Sequence, residues 1–270
     1  MSDAAAIVVC GAAGRMGRLL IGLGREQPDL RIAGAVEVCG HPCLGEDAGA
    51  VAAGSPLGVA IADDLARILR PDHVVVDFTG VPDAAIRHAA VAVERSAALV
   101  VGTTGFDARQ REELCALAPR TRSVVAANFS VGVAVLTELV TLAARLLDRR
   151  FEAEIVELHH HSKRDAPSGT ALALGRAVAA ARGLDFDGDA RLAREGMVGA
   201  RPPEEIGIVA LRAGDAVGDH TVVFGGLGER LELVHRAQSR DCLARGALRA
   251  ARWIVDRAPG LYSMRDVLGL

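Results

Sequence analysis

Residues 7–17 read IVVCGAAGRMG, an apolar run that passes directly into three glycines, Gly11, Gly14 and Gly17. The apolar run predicts a buried strand, and the glycines predict a tight loop that opens a helix. Such a loop lets the backbone approach a pyrophosphate, whose charge the N–H groups of the helix N-terminus bind. The spacing is G-x-x-G-x-x-G rather than the commoner G-x-G-x-x-G, so an ordinary strand-to-helix turn is the alternative.

A carboxylate at the end of the second predicted strand favours dinucleotide binding. Glu37 lies about twenty residues beyond the loop, where an acidic residue binds the adenosine ribose hydroxyls. The same charge repels a 2′-phosphate, and residues 38–44 contain no Arg or Lys. NADH is therefore predicted to be accepted at least as well as NADPH. Arg15 could still reach a 2′-phosphate, so the preference stays open.

The first half of the chain alternates strands with helices. Because βαβα alternation is typical of a parallel, doubly wound sheet, a Rossmann-like first domain is predicted. Ligands bind such sheets at the carboxyl ends of the strands, where DFTG at 77–80 and GTTG at 102–105 are expected to line one crevice with the glycine loop. The predicted strands are 7–10, 31–37, 73–77, 98–101 and 123–126, and the predicted helices are 16–23, 64–69, 82–95 and 107–117.

The pattern changes after residue 128. β-rich runs separated by Gly/Asp turns predict a second, α+β domain built on a mixed, mostly antiparallel sheet. We expect residues 1–128 to bind the dinucleotide, residues 129–239 to bind substrate and form oligomers, and residues 240–270 to pack back on the first domain. The predicted strands here are 152–159, 206–212, 220–224 and 230–237, and the predicted helices are 132–148, 169–182 and 241–257.

The composition excludes several classes of function. Aromatic residues make up 3% of the 270 residues and the net charge is −3, which argues against a nucleic-acid surface. No run of 18 apolar residues predicts a membrane span. The first strand begins without a basic segment before it, so no signal peptide is expected. Five scattered cysteines are interpreted as reduced thiols in a cytoplasmic protein.

Residues 154–171 read EIVELHHHSKRDAPSGTA and carry the predicted chemistry. Ser168, Gly169 and Thr170 open a helix, whose hydroxyl and N–H groups form a ready site for a carboxylate. Lys163 is able to donate a proton, and a histidine beside it is able to protonate an enamine or imine as hydride arrives. The segment therefore predicts the reduction of a small, negatively charged substrate.

This segment permits other interpretations. Three consecutive histidines are a possible metal site, but neighbouring side chains on a strand point to opposite faces, so at most His159 and His161 converge and no metal is predicted. Solvated surface histidines are the simplest alternative. Three further functions compete: another two-domain nicotinamide reductase, such as an amino-acid or semialdehyde dehydrogenase; a non-catalytic redox sensor; and a metal-dependent hydrolase.

The same segment resembles the 4-hydroxy-tetrahydrodipicolinate reductase (dihydrodipicolinate reductase) family of bacterial lysine biosynthesis. That family carries the signature E-[I/V]-x-E-x-H-x-x-x-K-x-D-x-P-S-G-T-A, which residues 154–171 fit at every fixed position. The resemblance extends over essentially the whole chain. It implies reduction of 4-hydroxy-tetrahydrodipicolinate to tetrahydrodipicolinate by NADH or NADPH, in a homotetramer formed through the C-terminal sheets.

The resemblance also implies roles for individual residues. His159 and Lys163 are the expected catalytic residues. The substrate dicarboxylate is expected at His160, Ser168, Gly169, Thr170 and Thr104. Members of the family that clearly prefer NADPH tend to have a basic residue just after the position of Glu37. This chain has Val38 there. The predicted cofactor-binding residues are Gly11, Ala12, Ala13, Gly14, Arg15, Met16, Gly17, Glu37, Phe78, Thr79, Gly102, Thr103, Thr104, Ala126, Ala127, Asn128, Phe129 and Arg240.

Overall fold

The computed structural model describes residues 4–270, which divide into two compact units. The first unit comprises the chain up to Val131 together with Asp241–Leu270, and the second comprises Gly132–Arg240. The strands are β1 (Ala5–Cys10), β2 (Leu30–Val36), β3 (Ile61–Ala62), β4 (His73–Asp77), β5 (Ala98–Val101), β6 (Arg122–Val125), β7 (Glu152–His159), β8 (Ala190–Arg191), β9 (Ile206–Arg212), β10 (Gly218–Gly226), β11 (Glu229–Ala237) and β12 (Gly260–Tyr262).

Helices connect these strands and cover the sheets. Short 3₁₀ turns follow two of them, at Ala118–Arg120 and Ile254–Asp256. Within residues 4–270, none of the helices combines the length and the apolar character that crossing a membrane requires. The helices are α1 (Arg15–Gly24), α2 (Ala48–Ala53), α3 (Leu65–Ile68), α4 (Pro82–Glu94), α5 (Ala108–Leu117), α6 (Val131–Leu146), α7 (Gly169–Arg182), α8 (Phe186–Asp189), α9 (Asp241–Trp253) and α10 (Met264–Leu268).

The first unit is built on a seven-stranded sheet in the order β12-β6-β5-β4-β1-β2-β3, in which neighbouring strands run parallel. Strand β1 is buried along its whole length, as expected where helices cover both faces of a parallel sheet. Val8 packs in a core with Ala85 and Ala89 of α4, whereas Ile7 and Leu248 of α9 both border Gly24 of α1. The strand order reverses between β1 and β4, where open α/β sheets bind ligands.

The second unit is built on a five-stranded sheet in the order β11-β10-β7-β9-β8. Strand β10 pairs antiparallel with β7 and β11, while β9 pairs parallel with β7 and β8. The sheet is mixed, as predicted, but parallel pairings are as numerous as antiparallel ones. The cause is the crossover through α7, which returns the chain to run β9 alongside β7 in the same direction.

One face of this second sheet packs against α6 and α7. Ile155, Ile208 and Phe224 are fully buried there together with Leu174 of α7. The opposite face carries apolar side chains that are largely exposed, among them Val209, Leu211 and Val234. The register places Val209 opposite Val156 and Leu211 opposite Leu158, so these side chains form one continuous apolar surface.

The predicted strands and helices are present, with the last predicted helix ending earlier, at Trp253, before a 3₁₀ turn. Short elements were not foreseen. Strand β12 adds to the edge of the first sheet by pairing with β6, and α10 begins with a capping box between Ser263 and Asp266. Three- and two-residue strands such as β12 and β3 are too short to show a period of alternation, and their pairing partners lie far away in sequence.

Candidate active site

The glycine loop after β1 depends on two close backbone approaches. Gly11 has a φ of +74°, a backbone conformation that residues other than glycine rarely adopt. A Cβ atom on Gly17 would lie 2.1 Å from the carbonyl oxygen of Gly11, so the first turn of α1 packs directly on the loop. Gly14 is the N-cap of α1 and has no side chain to cap the first-turn N–H groups. These features suit an anion at the helix N-terminus.

Glu37 holds this loop from the end of β2. Its carboxylate accepts hydrogen bonds from the Ala13 N–H at 2.9 Å and from the Val38 N–H at 3.1 Å. Beside it lies a cavity of about 560 Å³ at the carboxyl ends of β1, β2 and β4. Glu37, Asp63 and Asp64 are among the residues that line this cavity, as is Arg87. The residues present therefore fit the adenosine half of a dinucleotide, with carboxylates available for ribose hydroxyls.

Arg15 does not border the cavity of Glu37. Its side chain lines a separate groove of about 470 Å³, together with Arg18 and Arg25 of the same region. Arg18 donates from Nε to the Ala13 carbonyl at 2.8 Å. The arginine that the sequence suggested as a possible 2′-phosphate ligand therefore lies on a different surface from the carboxylate that would bind the ribose.

The ends of β4 and β5 are joined by a buried carboxylate, Asp77. Its Oδ1 accepts from the hydroxyls of Thr103 at 2.6 Å and Thr79 at 3.0 Å, and its Oδ2 lies 2.5 Å from His88 Nδ1. The Thr79 and Thr103 hydroxyls are 3.3 Å apart. The two loops that the sequence predicted to line one crevice are therefore linked directly through their hydroxyl groups.

A second cavity, of about 260 Å³, lies beside the end of β5 and is bordered by Thr103, Thr104, Ala126 and Ala127. The neighbouring Phe129 ring is buried and lies 5.3 Å from the Phe78 ring, centroid to centroid. Of the predicted cofactor residues, Gly11, Glu37, Phe78 and Thr79 line the first cavity and Thr103, Thr104, Ala126 and Ala127 the second. Arg240, also predicted at the cofactor, belongs to the second unit.

In the second unit, alternation along β7 delivers two polar side chains to its buried face. Ala153, Ile155, Glu157 and His159 point to the side covered by the helices. Glu157 reaches the N-terminus of α7, and His159 lies beside Glu157. The fully buried carboxylate of Glu157 accepts two hydrogen bonds from Arg212, each 2.9 Å long. Its Oε2 also lies 2.5 Å from His159 Nδ1, and its Oε1 accepts the Ser168 N–H at 3.0 Å.

These contacts keep Glu157 ionised. Burial acts to raise its pKa, but the hydrogen bonds from Arg212, His159 and the Ser168 N–H together lower the pKa of Glu157 below its ordinary value. Because its Nδ1 faces this carboxylate, His159 presents Nε2 on the opposite side of its ring. A Cβ atom on Gly218 would lie 2.9 Å from that Nε2, so the space beside it depends on glycine at this position.

His220 lies against the other side of this cluster. Its ring is 5.2 Å from that of His159, edge to face, and its Nε2 is 3.2 Å from the Ser168 hydroxyl. Ser168 caps α7 by accepting the Ala171 N–H. Burial, with the nearby charge of His159 as a lesser cause, lowers the pKa of His220 to about 4. His220 is therefore a neutral neighbour of His159 at neutral pH.

Lys163 is the only lysine in the sequence, although Lys and Arg together number 31. Its ammonium group donates to Asp165 Oδ1 at 2.9 Å, and its side chain is 20% exposed. Burial opposes ionisation of Asp165, but the hydrogen bond from Lys163 lowers the pKa of that carboxyl. Lysine differs from arginine in that its amine gives up a proton readily when its surroundings change.

The three consecutive histidines diverge. His159 ends β7, His160 Nδ1 lies 2.8 Å from the Ser162 hydroxyl, and His161 Nδ1 lies 2.8 Å from the Gly214 carbonyl. Desolvation lowers the pKa of His160, and the positive charge of Arg240 adds to this effect as the second cause. The cluster of possible metal ligands found among residues 4–270 is elsewhere, at Cys10, Asp77 and His88.

Comparisons with known proteins match both units. The model of the dihydrodipicolinate reductase N-terminus matches residues 5–129, and that of its C-terminus matches residues 132–268. The chain belongs to the dihydrodipicolinate reductase family. The 4-hydroxy-tetrahydrodipicolinate reductase of Anaeromyxobacter dehalogenans strain 2CP-C is 50% identical over 264 residues, covering 98% of this chain and 97% of that protein. The enzyme of the same name from Syntrophotalea carbinolica is 48% identical, with 98% of each chain covered.

Solved structures agree on the fold. A dipicolinate-bound dihydrodipicolinate reductase from Paenisporosarcina sp. TG-14 superposes with a TM-score of 0.73 at 22% identity, covering 96% of this chain and 97% of that one. The predicted α/β fold, the family, and the activity of a reductase in the diaminopimelate and lysine pathway are thereby confirmed. The expectation of NADH or NADPH as the reductant is confirmed at that level, without a choice between them.

The sequence pattern assigned no role to four residues of the site: Glu157, Arg212, His220 and Gly218. It placed Asp77 in the crevice but did not foresee its buried hydrogen bonds. Glu157 could have been found, because it precedes His159 by two residues and so shares its face of β7. Arg212 and His220 lie on β9 and β10, and their approach to β7 follows from a sheet register that the sequence does not display.

Proposed function

We propose that this chain reduces 4-hydroxy-tetrahydrodipicolinate to tetrahydrodipicolinate, with the first unit binding NADH or NADPH and the second binding the dicarboxylate. Loss of the 4-hydroxyl group as water leaves an unsaturated ring that accepts hydride at C4. A proton at the adjacent carbon completes the reduction. When bound, the dinucleotide supplies the hydride.

The residues of the first unit bind and orient the cofactor. Residues 11–17 hold the pyrophosphate at the N-terminus of α1. No capping side chain competes there for the first-turn N–H groups. Glu37 holds the adenosine ribose, and the Thr79–Thr103 pair with Thr104 shapes the region of the nicotinamide. The residues at 126–129 complete that region, with Phe129 fixed against Phe78.

The residues of the second unit bind the dicarboxylate and move the proton. Ser168, Gly169 and Thr170 begin α7, whose N-terminal dipole attracts a carboxylate. His160 adds a hydrogen-bond donor for the substrate, and the charge of Arg240, a residue predicted to bind the cofactor, acts on His160. Lys163 donates the proton, and His159 exchanges a proton through the Nε2 that faces away from Glu157. The observation that carries the proposal is that β7 and α7 bring this lysine, this histidine and an anion-binding helix start together in one unit.

The residues that line the cofactor pocket support the use of NADH. Glu37, Asp63 and Asp64 line the same cavity, and a 2′-phosphate there would meet three carboxylates and the cation of Arg87. Like charges lining one cavity disfavour a phosphate there, by about several-fold to tenfold in affinity. We propose that NADH is used at least as well as NADPH.

The exposed apolar surface of the second sheet supports a homotetramer. Val209, Leu211 and Val234 lie on the face of the sheet opposite to α6 and α7, where Val156 and Leu158 extend the same surface. Apolar surfaces of this kind mark protein–protein interfaces, and copies joined about more than one two-fold axis would form the tetramer that the family resemblance implies. We place the assembly in the cytoplasm, where its five cysteines, all free in this structure, remain thiols.

A coupled assay tests the reaction. Dihydrodipicolinate synthase supplies the unstable substrate, and loss of absorbance is followed with NADH and NADPH in parallel. Oxidation of either cofactor that depends on the synthase supports the proposal. Its absence, from folded protein that binds dinucleotide, would overturn it. The rate ratio for the two cofactors tests the interpretation of Glu37.

Lys163→Arg tests the proton donor. The variant keeps a positive charge beside Asp165 but loses an amine that releases its proton, so kcat is expected to fall by about 100-fold or more while dinucleotide binding is retained. Arg164→Lys is the matched control, because Arg164 is the exposed neighbour in sequence. Equal activity of the two variants would remove the proton-transfer role from Lys163.

A further inference from the structure

The carboxylate of Glu157 is the most extensively bonded acidic group of the second unit's site. It is fully buried, and each of its two oxygens accepts two contacts: Oε1 from Arg212 and the Ser168 N–H, Oε2 from Arg212 and His159. A buried carboxylate needs such compensation, because removing a charge from water is energetically unfavourable unless partners replace the lost hydration. The arrangement leaves the acid with fixed partners and no contact with solvent.

Arg212 extends this arrangement to the loop between β7 and α7. Besides its two bonds to Glu157, it donates to the Asp165 carbonyl and to the Leu211 carbonyl, each at 2.6 Å. Asp165 is in turn the partner of Lys163. One ion pair thus connects the end of β9, the loop that carries the proton donor, and the start of α7.

The position of Glu157 also decides which nitrogen of His159 is available. A carboxylate 2.5 Å from Nδ1 favours a proton on that nitrogen, so Nε2 is the basic atom of the neutral ring. The same negative charge stabilises the imidazolium that forms when Nε2 takes a proton. A histidine supported in this way keeps one orientation and one tautomer through the reaction.

We propose that Glu157, paired with Arg212, is a positioning residue for the reduction: it fixes the orientation and tautomer of His159 and sets His159 in register with the N-terminus of α7. Glu157 exchanges no proton itself and does not touch the substrate. This inference rests on the proposed function, because it assigns a role in the same reaction. It goes beyond it by placing part of the catalytic apparatus in a buried ion pair.

Glu157→Gln tests the proposal with a change of one atom. An amide has one acceptor oxygen where the carboxylate has two, so it cannot serve Arg212, Ser168 and His159 at once. We expect kcat to fall by at least about tenfold with little change in the KM for the dinucleotide. Nitrogen NMR of labelled histidine is expected to show His159 losing its single Nδ1-protonated tautomer.

Glu154→Gln is the matched control on the same strand. Glu154 points to the other face of β7, where it forms ion pairs with Arg194 and Arg201. It is also ion-paired and partly buried, but it makes no contact with His159. We expect this variant to lose thermal stability without losing kcat at a temperature where it remains folded.

A double-mutant cycle separates positioning from general stabilisation. In a His159→Gln background, adding Glu157→Gln is expected to lower single-turnover rates by less than about twofold, because the residue through which Glu157 acts has been removed. Losses that multiply would indicate an independent, structural role. A kcat for Glu157→Gln within twofold of that for Glu154→Gln would overturn the proposal outright.

A further variant covers the case in which Glu157→Gln does not fold. Glu157→Asp keeps the charge for Arg212 but is one methylene too short to hold His159, so the fold is expected to be kept while kcat falls and the tautomer signal changes. Full activity of this variant would overturn the proposal. If the unaltered protein itself shows no reductase activity, the proposed function fails instead, and the NMR comparison still reports on the Glu157–His159 contact.

Discussion

Gly218→Ala places a methyl group beside Nε2 of His159, the nitrogen proposed to exchange a proton. The added Cβ would lie 2.9 Å from Nε2, 3.4 Å from Cδ2 and 3.6 Å from Cε1 of that ring. Comfortable carbon–nitrogen contacts in proteins are about 3.5 Å, so the ring or the strand must move by about 0.6 Å. The ring cannot turn aside freely, because Glu157 holds Nδ1 and His220 lies against its edge.

The size of the effect follows from this displacement. A misplacement of about 1 Å at a reacting group costs about 100-fold in rate, so roughly half that displacement predicts a loss of about tenfold in kcat, or about 1.4 kcal/mol. The backbone tolerates alanine here, because Gly218 does not have a positive φ. The free energy of unfolding is therefore expected to change by less than about 1 kcal/mol.

Steady-state kinetics in the coupled assay and a denaturant titration measure the two quantities. Gly225→Ala is the control, since Gly225 lies on the same strand, β10, and a Cβ there would meet nothing within 4 Å. A kcat for Gly218→Ala within twofold of that for Gly225→Ala would refute the argument that His159 is held rigidly. A large loss of stability with unchanged kcat would show that the strand moved and the histidine did not.

Three further predictions concern titration, the buried hydroxyl network and the cofactor. Since burial lowers the pKa of His220 from 6.5 to about 4, protons bind the unfolded chain more readily between these values, and stability is lost as pH falls through that window. Denaturant titrations at pH 7 and pH 4 measure the effect. Between these pH values the free energy of unfolding of the wild type should fall by up to about 3 kcal/mol more than that of His220→Gln, and an equal fall in both proteins would contradict the prediction. Thr103→Val removes the 2.6 Å hydrogen bond to buried Asp77 and should lower the free energy of unfolding by about 1–3 kcal/mol, whereas Thr104→Val, at an exposed position, should change it by less than about 0.5 kcal/mol. Glu37→Ala should raise the dissociation constant for NADH by about tenfold and that for NADPH by less, as measured by fluorescence titration, and equal losses would argue against ribose binding.

Local sequence patterns were sufficient to predict those features that residues within one strand or helix determine. The β4 bounds, 73–77, and the β7 bounds, 152–159, are those that the apolar runs and alternation predicted. The loop of Gly11 and Gly17 was likewise visible, because its glycines are required by contacts within seven residues of chain. Signals of this kind depend on period and turn chemistry, which the sequence displays directly.

Long-range pairing was not visible in the same way. Arg212 reaches Glu157 because β9 runs parallel to β7, and His220 reaches Ser168 because β10 pairs with the other edge of β7. The separation of Arg15 from the cavity of Glu37 depends on how α1 packs. Such features follow from register and packing between elements that are distant in sequence, and composition does not specify them.

The single lysine gives this protein an unusual chemical simplicity. An amine-directed acylating reagent would find one ε-amino group in the chain, that of Lys163, besides the α-amino group at the N-terminus. The hydrogen bond with Asp165 and an exposure of 20% leave that amine accessible but restrained. Acylation of side-chain amines would therefore be confined to one site, which peptide mass mapping would distinguish from the α-amino group. Arginine supplies the remaining basic side chains, so surface charge and solubility would be almost unaffected while the proposed proton donor is silenced.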